Sequence, residues 1–264
     1  MRTLVFTNDK GGVSKTTSVV NLGVGLAREG LKTLVIDLDS QGDATYTLLG
    51  TRPPLFSEAQ MYHKTAYTMM IEQHPLLEVA LEAPRYPNLW VVPSNDDLAK
   101  AGSDLSNEVG SQTQLDHILH ALPKDTYDYV LIDTGKGFDL LVINALAAAD
   151  EALILTTPGK FELDAVARMK TRVEKVRERI NTGKEYPQLR GIVLTNANHY
   201  TVARDTRERL EEQYPGLIFQ TVIPKNEDLS KAVARAQSIF EFNPSSKGGQ
   251  AYEALLKEVI AHGR

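Results

Sequence analysis

The stretch Lys10-Gly11-Gly12-Val13-Ser14-Lys15-Thr16-Thr17 directly follows the apolar run Leu4-Val5-Phe6 and precedes apolar residues at helical spacing. A strand, a glycine-rich turn and a helix in that order form a cradle for phosphate. The turn's amides and the positive end of the helix point at one spot. The common spacing is glycine, four residues, then Gly-Lys-Ser/Thr. Here Ser14 stands where the last glycine would fall, and an additional lysine, Lys10, opens the loop. In open α/β sheets such ligands sit beyond the carboxyl ends of the strands, so the rest of the chain must supply parallel strands and covering helices.

It does. Thr3 to Phe6 reads as a strand, Lys15 to Glu29 as a helix with Val19, Leu22, Leu26 and Ala27 inward, and Leu31 to Ile36 as a second strand. Further strands are expected at 89–92, 129–132, 152–155, 191–194 and 217–219, with helices at 162–181, 200–213 and 248–261. Residues 46–86 are less regular: Pro53-Pro54 breaks the pattern, and helical material is expected near 66–73 and 76–83. This alternation predicts an α/β fold: one domain over residues 1–264 with a doubly wound, mostly parallel sheet flanked by helices on both faces. Helix 162–181 carries Arg168, Lys170, Arg172, Lys175, Arg177 and Arg179 among acids, and reads as a solvated face.

A chain of 264 residues can bury a large core. It has no cysteine, which removes disulfides, thiolate catalysis and iron–sulfur ligation, and with them a redox role of the nitrogenase-reductase kind. No apolar run reaches the roughly 18 residues that cross a bilayer, and no signal-peptide core follows Met1. A cytoplasmic protein with no membrane partner is expected. The net charge of -5 leaves room for a local basic surface.

The polar residues at the expected strand ends are the loop itself, Asp37 with Asp39, Asp133 and Asn196. Gly11, Gly12, Val13, Ser14 and Thr17 supply loop backbone, Lys15 reaches the β- and γ-phosphates, and the Thr16 hydroxyl ligates Mg²⁺. Asp133 sits near the metal, through water. Asp39 orients or deprotonates the attacking water, and Asp37 supports the metal shell, unless Asp37 merely caps the following turn. A nucleotide with Mg²⁺ is the expected ligand pair, and the resemblance described next implies that the nucleotide is ATP.

These residues resemble the ParA family of partition ATPases, P-loop NTPases within the wider group that includes MinD. Lys10 matches the family's signature lysine, which the resemblance implies reaches across a nucleotide-sandwich dimer to the partner's phosphates. Asp37-Leu38-Asp39-Ser40-Gln41-Gly42-Asp43-Ala44-Thr45 resembles the family segment Asp-x-Asp-Pro-Gln-Gly-Asn-Ala-Thr. Tyr127 to Asp133 resembles its Walker B strand, 141–150 the helix that follows, and 222–226 with 243–252 its late loop and closing helix. The resemblance covers nearly the whole chain and matches the short form, without an N-terminal helix-turn-helix.

By that resemblance the adenine lies near Asn196, Pro224 and Asn226. An ATP-dependent homodimer holds non-specific double-stranded DNA through Arg204, Arg207, Lys225, Lys231, Arg235 and Lys247, and a ParB-like centromere-binding protein resets it. A nucleoid-associated location follows. Departures are Ser14, Ser40 and Asp43, the loop 156–160, and Thr134-Gly135-Lys136 where the family has Cys-Pro-Pro. The alternative function is a MinD-like or other cargo-positioning ATPase acting on a membrane or protein assembly. The C-terminal segment 252–260 is amphipathic, but its polar side is mixed and it is expected to pack on the domain. A DNA-binding protein that uses ATP only to stabilise its fold is a third reading.

Overall fold

The computed structural model describes residues 1–51, 64–159, 162–181, 183–198 and 200–261. The expected break at Pro53-Pro54 lies outside them. The strands are β1 (Arg2–Thr7), β2 (Thr33–Leu38), β3 (Leu81–Glu82), β4 (Leu89–Val92), β5 (Tyr129–Thr134), β6 (Glu151–Thr156), β7 (Gln188–Ala197) and β8 (Ile218–Pro224). They form one sheet in the order β3-β4-β2-β5-β1-β6-β7-β8, parallel throughout except for the antiparallel β3–β4 pair. The order reverses direction on either side of β1, so the loop after β1 opens at a switch point, where such sheets bind ligands.

Alternation of side chains feeds two cores. Leu4, Phe6, Val35, Leu131 and Leu153 face one side. Val5, Leu34, Ile36, Ile132 and Ala152 face the other. The first side is covered by α1 (Lys15–Arg28) and by Lys247–Ala261, the C-terminal helix. Glycines let α1 lie close: a Cβ on Gly23 would meet Val35 Cγ2 at 3.0 Å, and one on Gly25 would meet Leu256 Cδ2 at 2.9 Å. The expected packing of 252–260 on the domain holds, with Tyr252, Leu255, Leu256 and Val259 all buried.

The remaining helices, in chain order, are α2 (Asp43–Leu49), α3 (Ala66–Met70), α4 (Leu76–Val79), α5 (Leu98–Leu105), α6 (Gln114–His120), α7 (Leu140–Ala148), α8 (Glu162–Arg179), α9 (Tyr200–Gln213), α10 (Glu227–Ala234) and α11 (Ile239–Phe242), which makes the C-terminal helix α12. Helix α7 packs on the second face against β1 and β5.

Two differences from the sequence reading have physical causes. The helix expected over 76–83 stops at Val79, and Leu81-Glu82 pairs with β4 as a short edge. The strand expected at 217–219 continues to Pro224 through polar residues. The acid Glu258 on α12 accepts from the amides of Gln220 and Thr221 at 2.8 and 2.7 Å, which satisfies part of that exposed edge. Among the described residues no helix is long and apolar enough to cross a membrane.

Candidate functional site

The loop after β1 is held from two strands. Buried Asn8 donates to the Leu155 carbonyl on β6 and accepts from the Lys10 amide at 2.9 Å. From β7, the Thr195 hydroxyl donates to the Val13 carbonyl at 3.0 Å and Asn196 Nδ2 to the Gly12 carbonyl at 2.7 Å. These bonds hold the Gly12 and Val13 carbonyls against β7. Ser14 has φ 60°, in the left-handed region. Its cost, roughly 1–2 kcal/mol for a residue with a Cβ, is the physical meaning of the glycine that the usual spacing puts there.

The two loop lysines differ. Lys15 is only 8% exposed, and its Nζ donates to the carbonyls of Asn8 and Lys10 at 3.3 and 3.4 Å. Burial lowers its pKa, against the pull of Asp133, Asp39 and Asp9. Lys10 instead reaches Glu162 at the start of α8, with Nζ 2.6 Å from Oε1. The other Glu162 oxygen accepts from the Thr156 hydroxyl at 3.0 Å. The signature lysine is thus engaged within its own chain.

The three carboxylates also separate. Asp37 and Asp133 face each other in register on β2 and β5, both fully buried. Asp37 is saturated: Oδ2 accepts from the Thr45 amide and hydroxyl at 2.9 and 2.6 Å, and Oδ1 from the Asp39 amide at 3.1 Å. Through these bonds Asp37 anchors the turn into α2. Asp133 has no hydrogen-bond partner on either oxygen. The Thr16 hydroxyl is close enough to favour its charged form without completing a bond of good geometry. Burial, and then the charge of Asp37, push Asp133 well above the usual carboxylate range. Burial with the charge of Asp39 puts Asp37 at about 6. Asp39, beyond the end of β2, accepts from the Gln41 amide at 3.0 Å.

A bare carboxylate such as Asp133, at 0% exposure, is costly unless something positive arrives. Among the described residues no cluster of three or more His, Asp or Glu forms a ready metal cage. One carboxylate and one hydroxyl beside a phosphate loop suit Mg²⁺, which keeps waters and borrows phosphate oxygens.

Comparison with known proteins agrees with this geometry. The profile of the AAA domain family matches residues 1–185. The chain is 33% identical to the chromosome-partitioning ATPase Soj of Treponema pallidum over 98% of its length and 97% of that protein. It is 34% identical to the chromosome-partitioning ATPase Soj of Thermus thermophilus over 99% of its length and 96% of that protein. The chain belongs to the Soj/ParA family. Its fold also matches cobyrinic acid a,c-diamide synthase from Mycobacterium smegmatis, solved with an ATP analogue and magnesium. The TM-score there is 0.81 at 24% identity, covering 100% of this chain and 97% of that one.

In this Soj/ParA chain the front of the loop is gripped by α8, which sequence reasoning had taken for a solvated face. Arg172 pairs with Asp9, and Arg168 Nε lies 3.8 Å from the same carboxylate. The Arg172 guanidinium also stacks over Phe138, 4.6 Å from the ring centre, in the loop after β5. With Glu162 on Lys10, one helix therefore holds both residues that open the loop. The only hint in the sequence was Arg168 and Arg172 standing four apart on one helical face.

A cleft of about 730 Å³ adjoins the loop, lined by Gly12, Ser14, Thr17, Asn196 and Asn226 among others. Pro224, expected beside the base, does not line it, being the last residue of β8 and paired with Ala197. Asn226 caps α10 by accepting from the Asp228 amide at 2.7 Å.

The six basic residues assigned to DNA are unequal. Arg204 lies 3.6 Å from both Asp205 and Glu208, and Lys231 3.1 Å from Glu227. Arg207 donates to Gln220, and Arg235 stacks on Phe242 at 5.0 Å. Lys225 and Lys247 are exposed and make no ion pair among the described residues.

Proposed function

We propose that this chain is an ATP-hydrolysing switch for DNA partition, dimerising around ATP, holding non-specific duplex DNA in that state, and reset by a ParB-like protein bound to a centromere site. The observation that carries the nucleotide part is Asp133: a fully buried carboxylate without a hydrogen bond, under Thr16 and within the field of Lys15. ATPase activity and the use of ATP with Mg²⁺ accord with the partitioning ATPases that the chain matches over nearly its whole length. Thr16 and Asp133 would hold the Mg²⁺, whose charge offsets the phosphate oxygens.

The chain's own groups do the rest. The backbone amides of 11–16 bind the phosphates, and Lys15 compensates their charge. Asp39 orients a water and takes its proton; neither of its neighbours in the triad is free to do so, since Asp37 is saturated and Asp133 lies at the metal position. Lys10 leaves Glu162 and crosses to the partner's phosphates, so the closed dimer depends on nucleotide. Cations of the C-terminal third, led by Lys225 and Lys247, hold DNA phosphates without reading bases.

The test is binding of the purified protein to long non-specific duplex DNA with ATP, ADP or no nucleotide, at two salt concentrations, beside Lys15→Ala. Binding that is selective for ATP, weakened by salt and absent in Lys15→Ala is expected. Equal binding in all nucleotide states, or none in any, overturns the DNA-switch reading. Retention of nucleotide by Lys15→Ala overturns the site assignment.

A further inference from the structure

The loop between β5 and α7, residues 135–139, departs most visibly from the resembling family, and its lysine has no use in the account so far. The loop is tied at both ends. The Thr134 hydroxyl donates to the Phe6 carbonyl at 2.9 Å, joining the end of β5 to β1. Asp139 caps α7 by accepting from the Val142 amide at 3.0 Å. Between them Gly137 turns the chain with φ 98°, and Phe138 lies under Arg172.

The apex therefore has a defined place. A Cβ on Gly135 would sit 3.7 Å from Asp39 Cγ, so the backbone of the loop runs against the residue assigned to the attacking water. The next side chain, Lys136, lies over the phosphate loop: its Cδ is 3.8 Å from where a Cβ on Gly11 would fall.

Three lysines thus surround one loop in three different states. Lys15 is buried on backbone carbonyls, and Lys10 is bound to Glu162. Lys136 is exposed, and among the described residues it makes no ion pair, although Asp9 and Asp39 stand near the same loop. Asp9 is already taken by Arg172. An uncompensated ammonium held at the rim of an anion cradle is a phosphate ligand waiting for its anion.

We propose that Lys136 binds the terminal phosphate of a nucleoside triphosphate from within the same chain, and so sets the preference for triphosphate over diphosphate. Gly135 packs on Asp39, and the phosphorus that an oriented water attacks is the terminal one. A side chain bridging Asp39's neighbourhood and Gly11 therefore meets that phosphate rather than the inner two. The proposal rests on the nucleotide reading given above.

The experiment is a calorimetric titration of the full chain, with Mg²⁺, by a non-hydrolysable ATP analogue and separately by ADP, for the unaltered protein, Lys136→Ala and Lys136→Arg. Lys136→Ala should weaken the triphosphate analogue about tenfold, as expected for one charge-assisted contact, and leave ADP within about twofold. Lys136→Arg should restore most of the difference. Equal weakening of both nucleotides, or none of either, overturns the role of Lys136 while the nucleotide site stands. Failure of the unaltered protein to bind either ligand would overturn the nucleotide reading itself, and the proposal with it. Because Lys136 is exposed, loss of folding is not expected, and unchanged melting of the variant without nucleotide checks this.

Discussion

The phosphate loop and the C-terminal basic residues are both functional surfaces in the proposed switch, yet they are built in opposite ways. At the loop, polar groups are tied to residues far off in the sequence, buried Asn8 to Leu155, Lys10 to Glu162 and Val13 to Thr195. At the basic surface, Arg204 and Lys231 are exposed and paired with acids one turn away on their own helices. The first arrangement fixes where the loop's atoms lie. The second sets only a local charge. A site that must place a phosphate needs long-range ties, and a surface that grips any duplex does not.

This contrast is best attacked at Asp133. Asp133→Asn should weaken Mg²⁺-dependent nucleotide binding on the order of 100-fold. It should also stabilise the nucleotide-free protein at neutral pH by about 1–3 kcal/mol, since it removes a buried charge without a partner. The pH dependence has a definite sign. Burial raises both carboxyls, Asp37 to about 6 from 3.8, so the folded state keeps protons that the unfolded chain releases. The contribution of Asp37 is therefore present at low pH and lost as pH rises from about 4 through about 6, and that of Asp133, raised well above the usual range, is lost in the same direction with rising pH. Urea unfolding at several pH values should show this loss in the unaltered protein and a flatter profile in Asp133→Asn. A less stable variant at neutral pH would mean that the carboxylate has a structural partner after all.

The charge surface yields a smaller effect. Lys225→Glu with Lys247→Glu should weaken ATP-dependent DNA binding about tenfold at low salt and reduce its salt slope by about 2, while Arg204→Ala with Lys231→Ala changes little. Equal effects from both pairs would show that local acids do not decide which cations reach DNA. The smallest effect belongs to Glu162→Gln. Freeing Lys10 from a half-exposed pair should let the ATP-dependent dimer form at about two- to fivefold lower protein concentration, read by sedimentation. A weaker dimer would mean that Glu162 aims Lys10 rather than restrains it.

Much of the fold was legible because buried parallel strands are short apolar runs, and those at 89–92, 129–132 and 152–155 stand out. Strands β7 and β8 were read too short, since their polar halves lie toward the sheet edge, where Glu258 and solvent satisfy what a neighbour strand would otherwise cover. In the site, the loop, Lys15, Thr16 and Asp133 were legible because phosphate chemistry demands those groups in that spacing. The division of labour between Asp37 and Asp39 was not. Both end the same strand, and only the folded chain reveals that Thr45 brings two donors to one of them. The grip of α8 was hidden for a similar reason: Arg172 and its partner Asp9 are 163 positions apart.

Thr45 has a consequence of its own. Its hydroxyl donates to Asp37 while accepting from the Ser94 amide at 2.9 Å, so the end of β2, the start of α2 and the segment after β4 meet at one oxygen. The stretch carrying Asp39 is thereby a short bridge with both abutments set in the core. Asp39 takes its place from that masonry, so a change at Thr45 is expected to move the water that Asp39 is proposed to hold.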